Sequence, residues 1–336
     1  MSENRIAEIL TRQPEAARLW LLVAAQRKRL GMAARRMLSQ GGLLALRGVP
    51  DLSLELMMRL AHGAMLAQGA ESWTSSLDGH RVHRYAFAGH GDGPAVLLLH
   101  GLGGSASSLA PLVPALVPLA RRVVLLELPG HGRSPEPVQG PLAAREYGSV
   151  AIACAEEMAR EQGGRLVLVG NSLGGALALY AAHERPDLAA GVVGLNPAGA
   201  ELSDEAMNAL PRAFTDANAG AAHMARLLFY RTPWAFWLVA RDFARHWGTP
   251  TVQRILDDAR SGSDRSLGLD VLTDIHVPVL ILWGAQDRLL PPSSLADFRR
   301  IARARVETLQ GCGHLPQLER PAATRRAVAD FVKTMK

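Results

Sequence analysis

Five short apolar runs constrain this chain more than any other feature: Ala95-Val96-Leu97-Leu98-Leu99, Val123-Val124-Leu125-Leu126, Leu166-Val167-Leu168-Val169, Gly191-Val192-Val193-Gly194-Leu195 and Val279-Leu280-Ile281-Leu282-Trp283. Each is too short for a helix of ordinary length and shows no polar alternation, so each reads as a strand buried on both faces. Segments of helical character separate most of them. That order predicts an α/β fold with a mostly parallel central sheet, helices on both faces, and an active site at the carboxyl ends of the strands. Arg81-Val82-His83-Arg84-Tyr85-Ala86-Phe87 alternates and predicts a half-exposed strand, and Val306-Glu307-Thr308-Leu309 predicts a shorter one. A final helix is expected over residues 322–332.

Four regions follow from the pattern: an N-terminal helical extension (1–75), a first part of the α/β core (76–200), an apolar helical lid (201–274) and a second part of the core (275–336). Composition suits a globular chain, with 48% hydrophobic and 20% charged residues. The formal charge of +6 comes with only three lysines (Lys28, Lys333, Lys336) and scattered arginines, so no nucleic-acid partner is expected. Two distant cysteines, Cys154 and Cys312, give no disulfide framework. The 11 histidines are dispersed without metal-ligand spacing, so no metal is expected. Acidic residues precede the apolar stretch at 18–25 and basic ones follow it, the reverse of a secretory signal, which predicts a cytoplasmic protein.

Gly170-Asn171-Ser172-Leu173-Gly174 follows the third run and opens a helix-forming stretch. A serine on so tight a strand-to-helix turn needs nearly side-chain-free neighbours two residues away, and the turn aims its hydroxyl outward at a helix N-terminus. Ser172 is therefore the candidate nucleophile. Asp287 lies just beyond the strand ending at Trp283, and His314 sits in Gly311-Cys312-Gly313-His314-Leu315-Pro316 after the last strand. The chain order Ser, Asp, His is that expected of this elbow, with His314 as base and Asp287 orienting it. His100-Gly101-Leu102-Gly103-Gly104 can turn backbone N–H groups toward a tetrahedral oxygen; the expected donors are Leu173 and Leu102, with Gly103 as alternative to Leu102. His100 and Cys312 read as packed structural residues, and His131 and Arg133 as holders of loop geometry.

These pieces, together with Glu127-Leu128-Pro129-Gly130-His131-Gly132-Arg133-Ser134 and Trp283-Gly284-Ala285-Gln286-Asp287, resemble the α/β-hydrolase family in family order over residues ~80–336. Glu127 stands where the family commonly has aspartate, a departure read as loop packing. Within the family, Gly-Asn-Ser-Leu-Gly-Gly and Leu195-Asn196-Pro197-Ala198-Gly199 look like bacterial esterases and monoacylglycerol lipases. The resemblance implies a serine hydrolase without a cofactor. It also reaches carbon–carbon bond hydrolases of ring-cleavage diketones, in which a lid arginine commonly grips a carboxylate and tryptophan commonly follows the histidine. Here Arg226, Arg231 and Arg241 are available for the first role, and Leu315 stands in the second position.

The lid is rich in bulky apolar residues. Met224, Phe229, Tyr230, Trp234 and Trp237 are the expected substrate contacts, which points to an apolar ester as the small-molecule partner. Between Ala16 and Pro50 stand seven Arg or Lys and no acid, so this stretch is either an arm packed on the body or a basic amphipathic contact with anionic membrane. The latter leaves room for a peripheral, non-catalytic scaffold.

Overall fold

The computed structural model describes residues 54–203, 220–233, 236, 249–261 and 266–335. The basic stretch 16–50, Trp234, Trp237 and Arg241 lie outside the described residues. Eight strands form one sheet: β1 (Glu71–Leu77), β2 (His80–Ala88), β3 (Val96–Leu99), β4 (Arg122–Glu127), β5 (Leu166–Asn171), β6 (Ala189–Leu195), β7 (Val279–Gly284) and β8 (Ala304–Leu309). Their spatial order is β1-β2-β4-β3-β5-β6-β7-β8, with β1 and β2 antiparallel to their neighbours and the rest parallel. The helices that position the site are α1 (Leu54–Ala67), α2 (Ala144–Gln162), α3 (Leu173–Glu184), α4 (Gly220–Leu228), α5 (Pro250–Ser261), α6 (Leu269–Thr273) and α7 (Pro321–Lys333). This is the α/β-hydrolase architecture, and α4, α5 and α6 all fall between β6 and β7.

The apolar runs are uninterrupted because each strand feeds two cores. Leu97, Leu99, Leu166 and Leu168 face one side, where Tyr147, Val150 and Cys154 of α2 and Leu177 and Leu179 of α3 meet them. Val96, Leu98, Val167 and Val169 face the other, against Met65 of α1 and Val328, Phe331 and Val332 of α7. Each fully buried aliphatic side chain of this kind contributes about 1.5–3 kcal/mol.

One strand was not anticipated and one strand expectation is corrected. Strand β1, Glu-Ser-Trp-Thr-Ser-Ser-Leu, has no run or alternation to announce it. Strand β2 is not half-exposed: it lies between β1 and β4, and Val82 to Phe87 are all buried. Its polar residues are therefore paired. Arg84 bonds Glu157 at 2.8 Å and Ser75 at 2.6 Å and lies over the Trp73 ring. The ring nitrogens of His83 meet Ser72 and Thr74 at 3.0 Å each, and burial, with Arg133 and His62 nearby, lowers His83 to about 4.

Candidate active site

The turn from β5 into α3 is as tight as the glycines demand. Ser172 has φ 52° and ψ −119°, a conformation side chains rarely adopt and one that costs on the order of 1–3 kcal/mol. Its surroundings hold it there. The Ser172 N–H donates to Leu195 O at 3.1 Å, and its carbonyl accepts from Gly175, Ala176 and Ala198. A Cβ on Gly170 would strike the Gly174 backbone, one on Gly174 would strike the Leu99 and His100 carbonyls, and one on Gly175 would lie 2.7 Å from Pro197 Cβ. Three glycines in six residues thus let β5, α3 and the β3 loop converge behind one hydroxyl.

The loop after β3 passes over that hydroxyl: a Cβ on Gly101 would be 3.2 Å from Ser172 Cβ. Gly104 N–H bonds Gly101 O at 2.9 Å, closing a turn with Leu102 and Gly103 at its centre, Gly103 at φ 64°. Among the described residues, the N–H groups of Leu102, Gly103 and Leu173 donate to no protein acceptor. His100 is a strut of this loop. Its Nε2 accepts from Leu128 N–H at 3.1 Å, so its Nδ1 carries the proton and donates to Gly101 O at 2.8 Å.

Asp287 and His314 come together from the ends of β7 and β8. Asp287 Oδ2 accepts from His314 Nδ1 at 2.7 Å, both side chains being buried. The other imidazole nitrogen, His314 Nε2, is buried with no hydrogen-bond partner among the described residues. The residue next to Ser172 reaches the histidine as well, since Asn171 Nδ2 donates to His314 O at 3.2 Å and to Leu195 O at 2.8 Å.

Two positioning residues escaped the sequence reading. Asn196, at φ 43°, donates from Nδ2 to Asp287 Oδ2 at 2.6 Å and accepts from Gly284 N–H at 2.9 Å. With Leu289 and Leu290 N–H on Oδ1, the Asp287 carboxylate collects four hydrogen bonds. Glu319 is the second: its carboxylate accepts from Gly313 N–H at 2.6 Å and Arg231 N–H at 3.0 Å, while His314 N–H donates to Leu228 O. The histidine loop is thereby tied to the insertion between β6 and β7. The signal for Asn196 lay in the Leu195-Asn196-Pro197 segment, while Glu319 had none.

Glu127 occupies the packing position expected of it. It is buried and accepts from Arg133 N–H at 2.7 Å and Ala106 N–H at 3.1 Å, joining the loop after β4 to the loop after β3. Burial raises its carboxyl to about 7, against the pull of those two N–H groups and the Arg133 charge. Burial likewise pushes the Cys312 thiol up to about 12, with the Glu319 charge adding to it. Cys312 is thus a packed, unreactive residue.

Ser172, Leu102, Leu173 and His314 line a cavity of about 910 Å³, whose other walls are mostly aliphatic. Of the expected substrate contacts, Phe229 lines it. Met224 does not, because it packs into the insertion's own cluster with Ala225, Leu228 and Phe236. Tyr230 does not either; it borders a separate hollow with Arg320 and carries Arg231 over its ring. The cavity walls include residues the sequence reading did not nominate: Met57, Met58 and Ala61 of α1, and Ile255 and Leu256 of α5. Among the described residues no three His, Cys, Asp or Glu side chains are grouped to hold a metal, and no helix is long and apolar enough to cross a membrane.

The α/β hydrolase family matches residues 96–327, and the chain belongs to it. A pimeloyl-[acyl-carrier protein] methyl ester esterase of Neisseria meningitidis serogroup A is 30% identical over 255 residues, covering 71% of this chain and 76% of that protein. Among solved structures, a membrane phospholipase A described as a bacterial virulence factor superposes with TM-score 0.70 at 24% identity, over 92% of this chain and 99% of its own. The 2-hydroxy-6-oxo-6-phenylhexa-2,4-dienoate hydrolase of a Rhodococcus species gives 0.66 at 22% identity, over 78% and 98%. At these identities the two structures share its fold.

Proposed function

We propose that the protein is a serine hydrolase that cleaves carboxylic esters of apolar acyl groups through an acyl-enzyme on Ser172. The observation that carries this is the arrangement at the cavity floor. A strained serine and a histidine whose Nε2 has no hydrogen-bond partner among the described residues share one apolar cavity, and Asp287 holds the far side of the imidazole at 2.7 Å.

In the first half-reaction the Ser172 oxygen bonds to the ester carbonyl carbon and its proton passes to His314 Nε2. The carbonyl oxygen becomes an oxyanion, for which the undonated N–H groups of Leu173 and of Leu102 or Gly103 are the donors at hand. Collapse breaks the bond to the alcohol oxygen, which leaves with the proton from His314. Water then attacks the acyl carbon, gives its proton to His314, and releases the acid as Ser172 regains its hydrogen. Asp287 fixes the tautomer with the proton on Nδ1 and balances the transient imidazolium.

The Neisseria relative, named for hydrolysis of a methyl ester, supports ester chemistry. Of the lid arginines available to grip the carboxylate of an acidic diketone, Arg226 and Arg231 are exposed and neither lines the cavity, which favours the ester reading; Arg145, which does line it, belongs to α2 and not to the lid. The test is hydrolysis of p-nitrophenyl butyrate by the parent and by Ser172→Ala and His314→Ala. Each variant should lose about 10⁴-fold or more in kcat. Turnover within tenfold of the parent in a folded Ser172→Ala would refute the assignment, and a parent inert toward every ester would return the fold to a scaffold role.

A further inference from the structure

We infer that the cavity over Ser172 is divided into an acyl arm running along α3 and an alcohol arm walled by α1, an inference that rests on the ester-hydrolase reading above. The acyl arm follows from helix geometry. Leu173, Ala176, Leu177, Tyr180 and Glu184 all line the cavity, at offsets that place them on one face of α3. At 1.5 Å per residue, the eleven positions from Leu173 to Glu184 carry that wall about 16 Å along the helix from the Ser172 turn. A carbon chain with bonds of about 1.5 Å advances roughly 1.3 Å per carbon in zigzag, so this arm accepts an extended chain of about a dozen carbons. The facing wall is apolar for most of its length, built from Ile255 and Ala259 of α5, Leu267, and Val271 of α6.

The alcohol arm follows from the proton's path. His314 gives its proton to the departing oxygen, so the alcohol lies on the histidine's side of Ser172. Leu315 and Leu318, just beyond His314, line the cavity. Helix α1 belongs to the same side: it packs on the turn Ala106–Ser108, while the turn Pro316–Glu319 packs on the adjoining Ala110–Leu112. One face of α1 is committed inward. Met58 and Ala61 line the cavity, His62 Nδ1 meets the Tyr85 hydroxyl at 2.8 Å, and Met65 is buried in the core.

Helix α1 precedes residue 96, where the family match begins, so this wall falls outside the matched segment. At its outer edge Met57 and Leu318 both line the cavity and remain 36% and 38% exposed. An aliphatic mouth of this kind suits a large alcohol with apolar surface of its own, rather than methanol.

Two ester series on the full chain test the division. One varies the acyl group from acetate to palmitate on p-nitrophenol; the other varies the alcohol from methanol to octanol on a fixed butyrate. Ala176→Phe should lower the laurate-to-acetate ratio of kcat/KM by about tenfold or more without altering the octyl-to-methyl ratio. Ala61→Phe should lower the octyl-to-methyl ratio by a similar factor without altering the acyl profile. Met58→Ala, which removes bulk and so tests the same wall if Ala61→Phe does not fold, should raise relative turnover of branched alcohols. Effects that cross over, or α1 variants that leave the alcohol ratio untouched, overturn the division while Ser172-dependent hydrolysis stands. A parent without Ser172-dependent hydrolysis overturns the reading beneath it.

Discussion

Glu127→Gln should remove a pH-dependent weakness from the fold. In the folded chain burial raises the Glu127 carboxyl from 4.5 to about 7, so between those values the native state keeps a proton that the unfolded chain has released. Its contribution to stability is fully present below pH 4.5 and is lost as pH rises through 7. At 1.36 kcal/mol per pKa unit, the loss is about 3 kcal/mol across that window. Glutamine has no such proton. It keeps one acceptor oxygen for Arg133 or Ala106 N–H and sets an amide against the other, a fixed cost of about 1–3 kcal/mol. Urea unfolding of parent and variant at half-unit steps from pH 4.5 to 8 isolates the term as a difference. The variant should be the less stable at acid pH, and the gap should close by about 3 kcal/mol toward pH 8. Parallel stability profiles would refute the claim that the buried carboxyl binds its proton in this range.

Asn196→Ala should lower kcat by about 10-fold to 100-fold, because Asp287 loses a 2.6 Å charge-assisted bond and with it part of its hold on His314. Steady-state kinetics alongside circular dichroism check this, and an unchanged kcat in a folded variant would show that the other three bonds suffice. Cys312, buried and with its thiol pushed up to about 12, should resist iodoacetamide at pH 8 in the native state and react in urea. Peptide mass mapping reads this directly; rapid native labelling with loss of activity would show a reactive thiol instead.

What the sequence made visible was chemistry confined to short contiguous stretches. The elbow declared itself because Gly170 and Gly174 are imposed by local sterics against the Gly174 backbone and the Leu99 and His100 carbonyls. Asp287 and His314 stood out because each follows its own strand, in the chain order the elbow calls for. Asn196 stood in a recognisable segment, but neither its role nor that of Glu319 could be read there, because both come from partners 91 and 88 residues away, Asp287 and Arg231. Aliphatic residues were the least legible. Met224 and Ala61 carry no mark of what they face, and only packing decides that the first fills the insertion's core while the second borders the cavity. Strand β1 stayed hidden for a related reason. At the sheet edge only Leu77 is buried, so a polar serine-rich sequence meets no penalty there.

The central claim is that a single serine at the β5–α3 turn forms the acyl-enzyme. Reaction of the full chain with a fluorophosphonate, followed by intact-mass and peptide mass spectrometry, tests it most directly. One adduct per chain is expected, on the peptide bearing Ser172, with hydrolysis lost in step with labelling and no adduct in Ser172→Ala. An adduct on another residue, or complete hydrolytic activity in a chain labelled at Ser172, would contradict it.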